Sequence, residues 1–84
     1  MAALEHSFRY YQVMVSAQCL PGRLRIDPLA VVFTGGPGGY GEVGRTEKRL
    51  NSWNPQFATS VALPADSDAE RAVDVRIDFY NKNV

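Results

Sequence analysis

Short apolar segments that alternate with a period of two, each closed off by proline or glycine, run through most of this sequence. Val73 to Tyr80 (VDVRIDFY) is the cleanest. Val73, Val75, Ile77 and Phe79 fall on one face, and Asp74, Arg76, Asp78 and Tyr80 on the other. Tyr10 to Ala17 (YYQVMVSA) places Tyr11, Val13, Val15 and Ala17 together. Phe57 to Leu63 places Phe57, Thr59, Val61 and Leu63 together. Leu29 to Thr34 (LAVVFT) is a continuous run of β-formers, as expected of a strand covered on both faces. Glu42 to Arg49 is polar and alternating, which suits an edge strand, and Gly44 within it points to a bulge. Helical periodicity is almost absent.

Five strands at regular spacing with turns between them predict an all-β fold, an antiparallel β-sandwich of about five to six strands. Each linker is too short for a crossover helix, so neighbouring strands should run antiparallel. Alternating directions then bring segments 18–27, 50–56 and 81–84 to one end, and segments 35–41 and 64–71 to the other. The glycine cluster from Gly35 to Gly39 is expected to be a loop, because glycine holds regular structure at a cost in entropy.

With 84 residues the chain has room for one domain. Residues 1–9 read as a flexible segment and residues 10–84 as the sandwich. A domain of this size buries only about 60–65% of its unfolded surface, so its stability should be marginal. Nine basic and nine acidic residues cancel, which argues against bulk electrostatic binding to nucleic acid or to an acidic membrane and leaves only a local basic patch for such a role. Cys19 is the sole cysteine, so neither an internal disulfide nor a structural zinc site can be built, and a reducing cytoplasmic compartment is expected. No apolar run approaches the roughly 20 residues that span a bilayer, and Met1 to Tyr11 lacks the apolar core of a signal peptide.

Several stretches in order resemble the C2 domain, above all the N-terminal C2 domain of copines. YQVMVSAQCL is similar to the strand that leads into the family's first calcium loop. Asp27-Pro28 followed by LAVVF is similar to its Asp-Pro and next strand. EVGRTE followed by WNPQF resembles the copine pairing of an Arg-Thr-Glu strand with an Asn-Pro-x-Phe corner, and VRIDFYNKN resembles the strand into the third calcium loop. The likeness covers about Tyr10 to Asn83. It implies a phospholipid-binding module attached peripherally to membranes, and it implies that the chain stops before the family's last strands.

The family binds calcium through aspartates of its first and third loops, since Ca²⁺ takes six to eight hard oxygen ligands. The likeness maps the metal positions here to Asp27, Asn81 and Asn83. Two are amides without charge, and Arg23 and Arg25 stand nearby. Calcium binding is therefore expected to be weak or absent, and no other cofactor is implied. As a plain reading, Asp27 before Pro28 is also a common turn former.

An anionic phospholipid surface is the expected partner. Arg23, Leu24 and Arg25 could enter a headgroup layer, where each basic residue contributes about 1 kcal/mol. Two readings stand for Ile26, membrane insertion or core. Two stand for Trp53, interfacial anchor or packing beneath the loop. Arg45, Lys48 and Arg49 form a basic stretch that could meet headgroups or simply keep an edge strand soluble. The rival function is a protein-binding module, by its loops or by pairing through an open strand edge. A non-functional truncated fragment is the remaining alternative.

Nothing in the sequence assembles an enzyme. Gly36 to Gly41 fits a phosphate-loop pattern by letter, but a strand follows it rather than a helix. Asp66 to Glu70 lacks the glycine and later ligands of an EF-hand, and reads as a solvated acidic loop with at most one helical turn. His6 and Cys19 lack a third group to orient them.

Overall fold

The computed structural model describes residues 9–36, 38–65 and 74–83. Within them lie five strands and no helix: β1 (Arg9–Val13), β2 (Pro28–Gly36), β3 (Gly39–Arg45), β4 (Val61–Ala65) and β5 (Asp74–Asn81). β1 pairs with β4, and β3, β2 and β5 form a second sheet with β2 at its centre. Every pairing is antiparallel. The fold is all-β with two antiparallel sheets, as the alternating segments require. His6, Val73 and the acidic segment 66–70 lie outside the described residues.

The core forms where the β1–β4 ribbon crosses the larger sheet. Val15, Ala30, Val32, Phe57 and Val61 are buried together, with Val13, Val43 and Leu63 packed at the margin. Ala30 and Val32 are the even positions of β2, so this is the sheet's inner face. The odd positions Leu29 and Val31 are buried as well. They lie under long side chains of the neighbouring strands: Tyr80 of β5 and the Glu42–Arg45 ion pair of β3 line the same shallow groove. That double cover is why β2 reads as an uninterrupted apolar run.

Gly44 sits beside a bulge, as its place in a strand suggests. The register slips between Val32 and Phe33, so that Val32 faces Gly44 and Phe33 faces Glu42, leaving Val43 as the extra residue. A Cβ on Gly44 would stand 2.8 Å from Val61 Cγ1. The absence of a side chain is what lets the two sheets approach here.

Five expectations need correcting. The glycine cluster is not a loop of residues 35–41. β2 continues to Gly36 and the hairpin closes at Gly36↔Gly39, because the Tyr40 ring lies across bare Gly35 and fills the space a side chain would take. The strand expected over Glu42 to Arg49 stops at Arg45. Thr46 N–H still donates to Ala30 O, but Ala30 N–H finds the Thr46 hydroxyl in place of a carbonyl, at 2.9 Å, and the ladder ends.

The regular part of the first strand ends at Val13, although Ser16 still bridges Gln56. Likewise Phe57 to Leu63 is not one regular strand. Val13 pairs with Val61 while Ser16 pairs with Gln56, which leaves extra residues around Ala58 to Ser60. The inner-face row of β5 points as its alternation demands, yet Val75, Ile77 and Phe79 remain 48%, 39% and 37% exposed. Among the described residues β5 lies at the edge of its sheet, and the β1–β4 ribbon covers β2 and β3 rather than β5.

Candidate functional site

Segments 18–27, 46–56 and 81–83 meet at one end of the fold, joined mostly through backbone groups. Ala17 N–H donates to Pro55 O and Leu20 N–H to Trp53 O, extending the β1–β4 ribbon as an irregular ladder. Ser52 N–H donates to Ile26 O, Arg49 N–H to Pro28 O and Lys82 N–H to Asp27 O. Loops that lack a regular ladder must still satisfy their polar groups, and these three do so against each other.

Asp27 is the hub. Its side chain is buried, and its Oδ1 accepts Asn51 N–H at 2.8 Å and Arg25 Nε–H at 3.0 Å. The Asn51 N–H, chiefly, and then the Arg25 guanidinium hold this carboxyl below its ordinary pKa, against the opposing effect of burial. Asn51 reaches it by adopting a left-handed backbone, φ 51°. Asn81 Oδ1 accepts the N–H groups of Asp27 at 2.9 Å and of Asn83 at 3.0 Å. Asn83 Nδ2 donates to Arg25 O at 2.6 Å.

Asp27, Asn81 and Asn83 are thus brought together, but as a hydrogen-bonded clip between the first and third segments. The Oδ1 atoms of Asp27 and Asn81, which a cation would need, are each already taken by two N–H donors. Among the described residues no cluster of three or more His, Cys, Asp or Glu side chains could hold a metal.

The tips of this end are apolar and basic. Leu24 is 81% exposed between Arg23 and Arg25, and Leu50 is 62% exposed next to Arg49 and Lys48. Leu50 escapes a sequence reading because a lone leucine after a polar stretch carries no period. Arg23, Arg25, Lys48, Arg49 and Lys82 stand here against Asp27 and Glu47, a surplus of three positive charges in a chain whose total is zero. Both carboxylates are already engaged by hydrogen bonds.

Ile26 is core, 6% exposed. Trp53 is half-buried and its indole N–H donates to Gly22 O at 3.2 Å, so it props the first segment from beneath. Cys19 is exposed with φ 55°, its N–H held by Asn54 Oδ1. Arg45 is set apart from Lys48 and Arg49. Its guanidinium forks onto Glu42, with Nε to Oε2 at 3.0 Å and Nη2 to Oε1 at 2.6 Å, which raises the Arg45 pKa and lowers that of Glu42. Beside the end, an open groove of 340 Å³ runs between Leu20, Pro21, Ile26, Pro28 and Phe79.

No helix among the described residues is long and apolar enough to cross a membrane. Comparison with protein-family models, curated proteins and solved structures finds no match.

Proposed function

We propose that this chain is a C2-like module of the copine type that docks its loop end on anionic phospholipid headgroups with weak or no dependence on calcium. One observation carries the reading: two exposed leucines, Leu24 and Leu50, each flanked by basic residues, on segments that hydrogen-bond to one another at one end of the fold. An apolar tip ringed by cations suits a surface with phosphates outside and hydrocarbon beneath. The inward turn of Asp27 supports binding without a metal, because the positive charge comes from side chains.

Sedimentation with vesicles of anionic and of neutral phospholipid, in calcium and in chelator, tests this. The module binds anionic vesicles in chelator and releases them at high salt. Arg25 is tied to Asp27, so Arg23 and Arg49 are the cleaner pair to remove. Arg23→Ala with Arg49→Ala weakens binding roughly 30-fold, at about 1 kcal/mol for each residue. Absence of binding to any vesicle, or binding that requires calcium, overturns the proposal.

A further inference from the structure

The far edge of β5 is unpaired among the described residues, and its sequence is complementary to itself. Lys82 N–H donates to Asp27 O in the same register as the β2–β5 pairing. Bonded pairs alternate along an antiparallel ladder, so Tyr80, Asp78, Arg76 and Asp74 aim their backbone groups at β2. The N–H and C=O groups of Val75, Ile77 and Phe79 therefore point away from the sheet, toward whatever lies beside it.

We infer that this edge pairs with the β5 edge of a second copy of this chain, antiparallel and centred on Ile77. In that register Ile77 meets the partner's Ile77, and Val75 meets the partner's Phe79. These are the residues whose backbone groups pair with no strand among the described residues, so each such pair exchanges both of its bonds. Arg76 then faces the partner's Asp78, and Asp78 the partner's Arg76. They occupy the intervening positions, where opposed side chains come closest. Opposite charges meet twice across the twofold axis, and the pattern is isologous, as a closed dimer requires.

Two further features fit. The half-exposed apolar row Val75, Ile77 and Phe79 gains apolar neighbours on the side that lacks them. Arg76 is already extended over the outer face, 4.4 Å from the Phe33 ring centroid and 5.0 Å from that of Tyr40, with Nη2 3.3 Å from Asp78 Oδ2. Arg76 and Asp78 therefore share the outer face on which a partner's Asp78 and Arg76 would arrive, and the Arg76 side chain, laid toward β2 and β3 in the single chain, swings to the free edge to meet the partner. A shift of one residue would set Asp78 against the partner's Ile77 and lose both ion pairs. The inference concerns the opposite side of β5 from the core and stands whether or not the loop end binds lipid.

Charge exchange tests the register. Sedimentation equilibrium of the full chain at micromolar to millimolar concentration should show a monomer–dimer equilibrium. Arg76→Asp alone sets two like-charged pairs across the axis and gives monomers, as does Asp78→Arg alone. An equal mixture of the two variants restores both attractive pairs and dimerises as a heterodimer. Ile77→Pro removes an N–H that β2 does not use, so it abolishes the dimer while circular dichroism stays that of a β fold, and it serves if a charge variant fails to fold. A monomeric wild type at every concentration, a dimer indifferent to all these changes, or a mixture that stays monomeric overturns the inference.

Discussion

The Glu47 carboxylate accepts the backbone N–H of Ala58 at 2.7 Å, and its second oxygen accepts that of Thr59 at 3.1 Å. These N–H groups belong to the extra residues that interrupt the ladder between β1 and β4. One side chain from beyond β3 thereby pins a bulge in the other sheet. The two bonds lower the Glu47 pKa from an ordinary 4.5 to about 2, the Ala58 N–H contributing most.

A pH dependence follows. A carboxyl with a depressed native pKa stabilises the fold fully above its unfolded value, and that contribution is lost as pH falls toward the native value. For Glu47 the window runs from about 4.5 down to about 2. Urea midpoints measured across this window should fall steadily with pH. In Glu47→Gln the fall should be shallower, and the remainder should come from Asp27 and Glu42, whose pKa values are also lowered. An unchanged slope in the variant would show that the bulge does not depend on the charge.

Gly44 and Val61 set the separation of the two sheets. Gly44→Ala would place its new carbon 2.8 Å from Val61 Cγ1, and overpacking of this kind costs about 1–3 kcal/mol. Val61→Ala alone removes two buried methyl groups and costs about 2 kcal/mol. The double variant should be more stable than the two losses added together, because the truncated residue makes room for the new methyl. Denaturant titration of the four proteins measures the coupling. Simple additivity would mean that the sheets move apart instead.

Much of this architecture was legible in the sequence. Alternation marked four of the strand regions, an uninterrupted apolar run marked β2, and Gly44 marked its bulge, because hydrophobic pattern and a missing side chain are local signals. What failed was non-local. The hydroxyl of Thr46 ends β3 by reaching Ala30, sixteen residues away, and Glu47 holds a bulge eleven residues on. Both residues look like ordinary polar positions in a strand. That β2 would be covered on both faces was legible in its apolar run, but that long polar side chains would supply the outer cover was not.

At the loop end, the residues singled out as cation ligands do converge. The sequence could not reveal that Asn81 would spend its carbonyl on two N–H groups, or that Asn51 would turn left-handed to reach Asp27. Leu50 was missed for want of any pattern, whereas Leu24 stood out between two arginines.

The left-handed Asn51 makes a sharp contrast between variants. Its N–H, not its side chain, is what Asp27 accepts. Asn51→Gly keeps both the N–H and the backbone angle and should leave stability nearly unchanged. Asn51→Val forces a β-branched residue to φ 51° and should cost at least about 1–2 kcal/mol. Thermal melts of the two variants provide the measurement. Equal melting of both would mean that the turn relaxes and the Asp27 clip is not rigid.

The loop-end and edge-pairing proposals together make a prediction that neither makes alone. β5 runs toward the loop end, finishing at Asn81 beside Asp27. Antiparallel pairing of two β5 strands sends the two basic ends in opposite directions. A dimer of this kind tethers two vesicles instead of lying twice on one. Turbidity of anionic vesicles should rise on adding the wild-type chain and return to baseline in high salt. Ile77→Pro should still sediment with vesicles yet raise no turbidity, because a single tip suffices to bind. Arg23→Ala with Arg49→Ala should dimerise yet bind vesicles and raise turbidity only at roughly 30-fold higher concentration. Turbidity that survives Ile77→Pro would place the tethering surface elsewhere on the molecule.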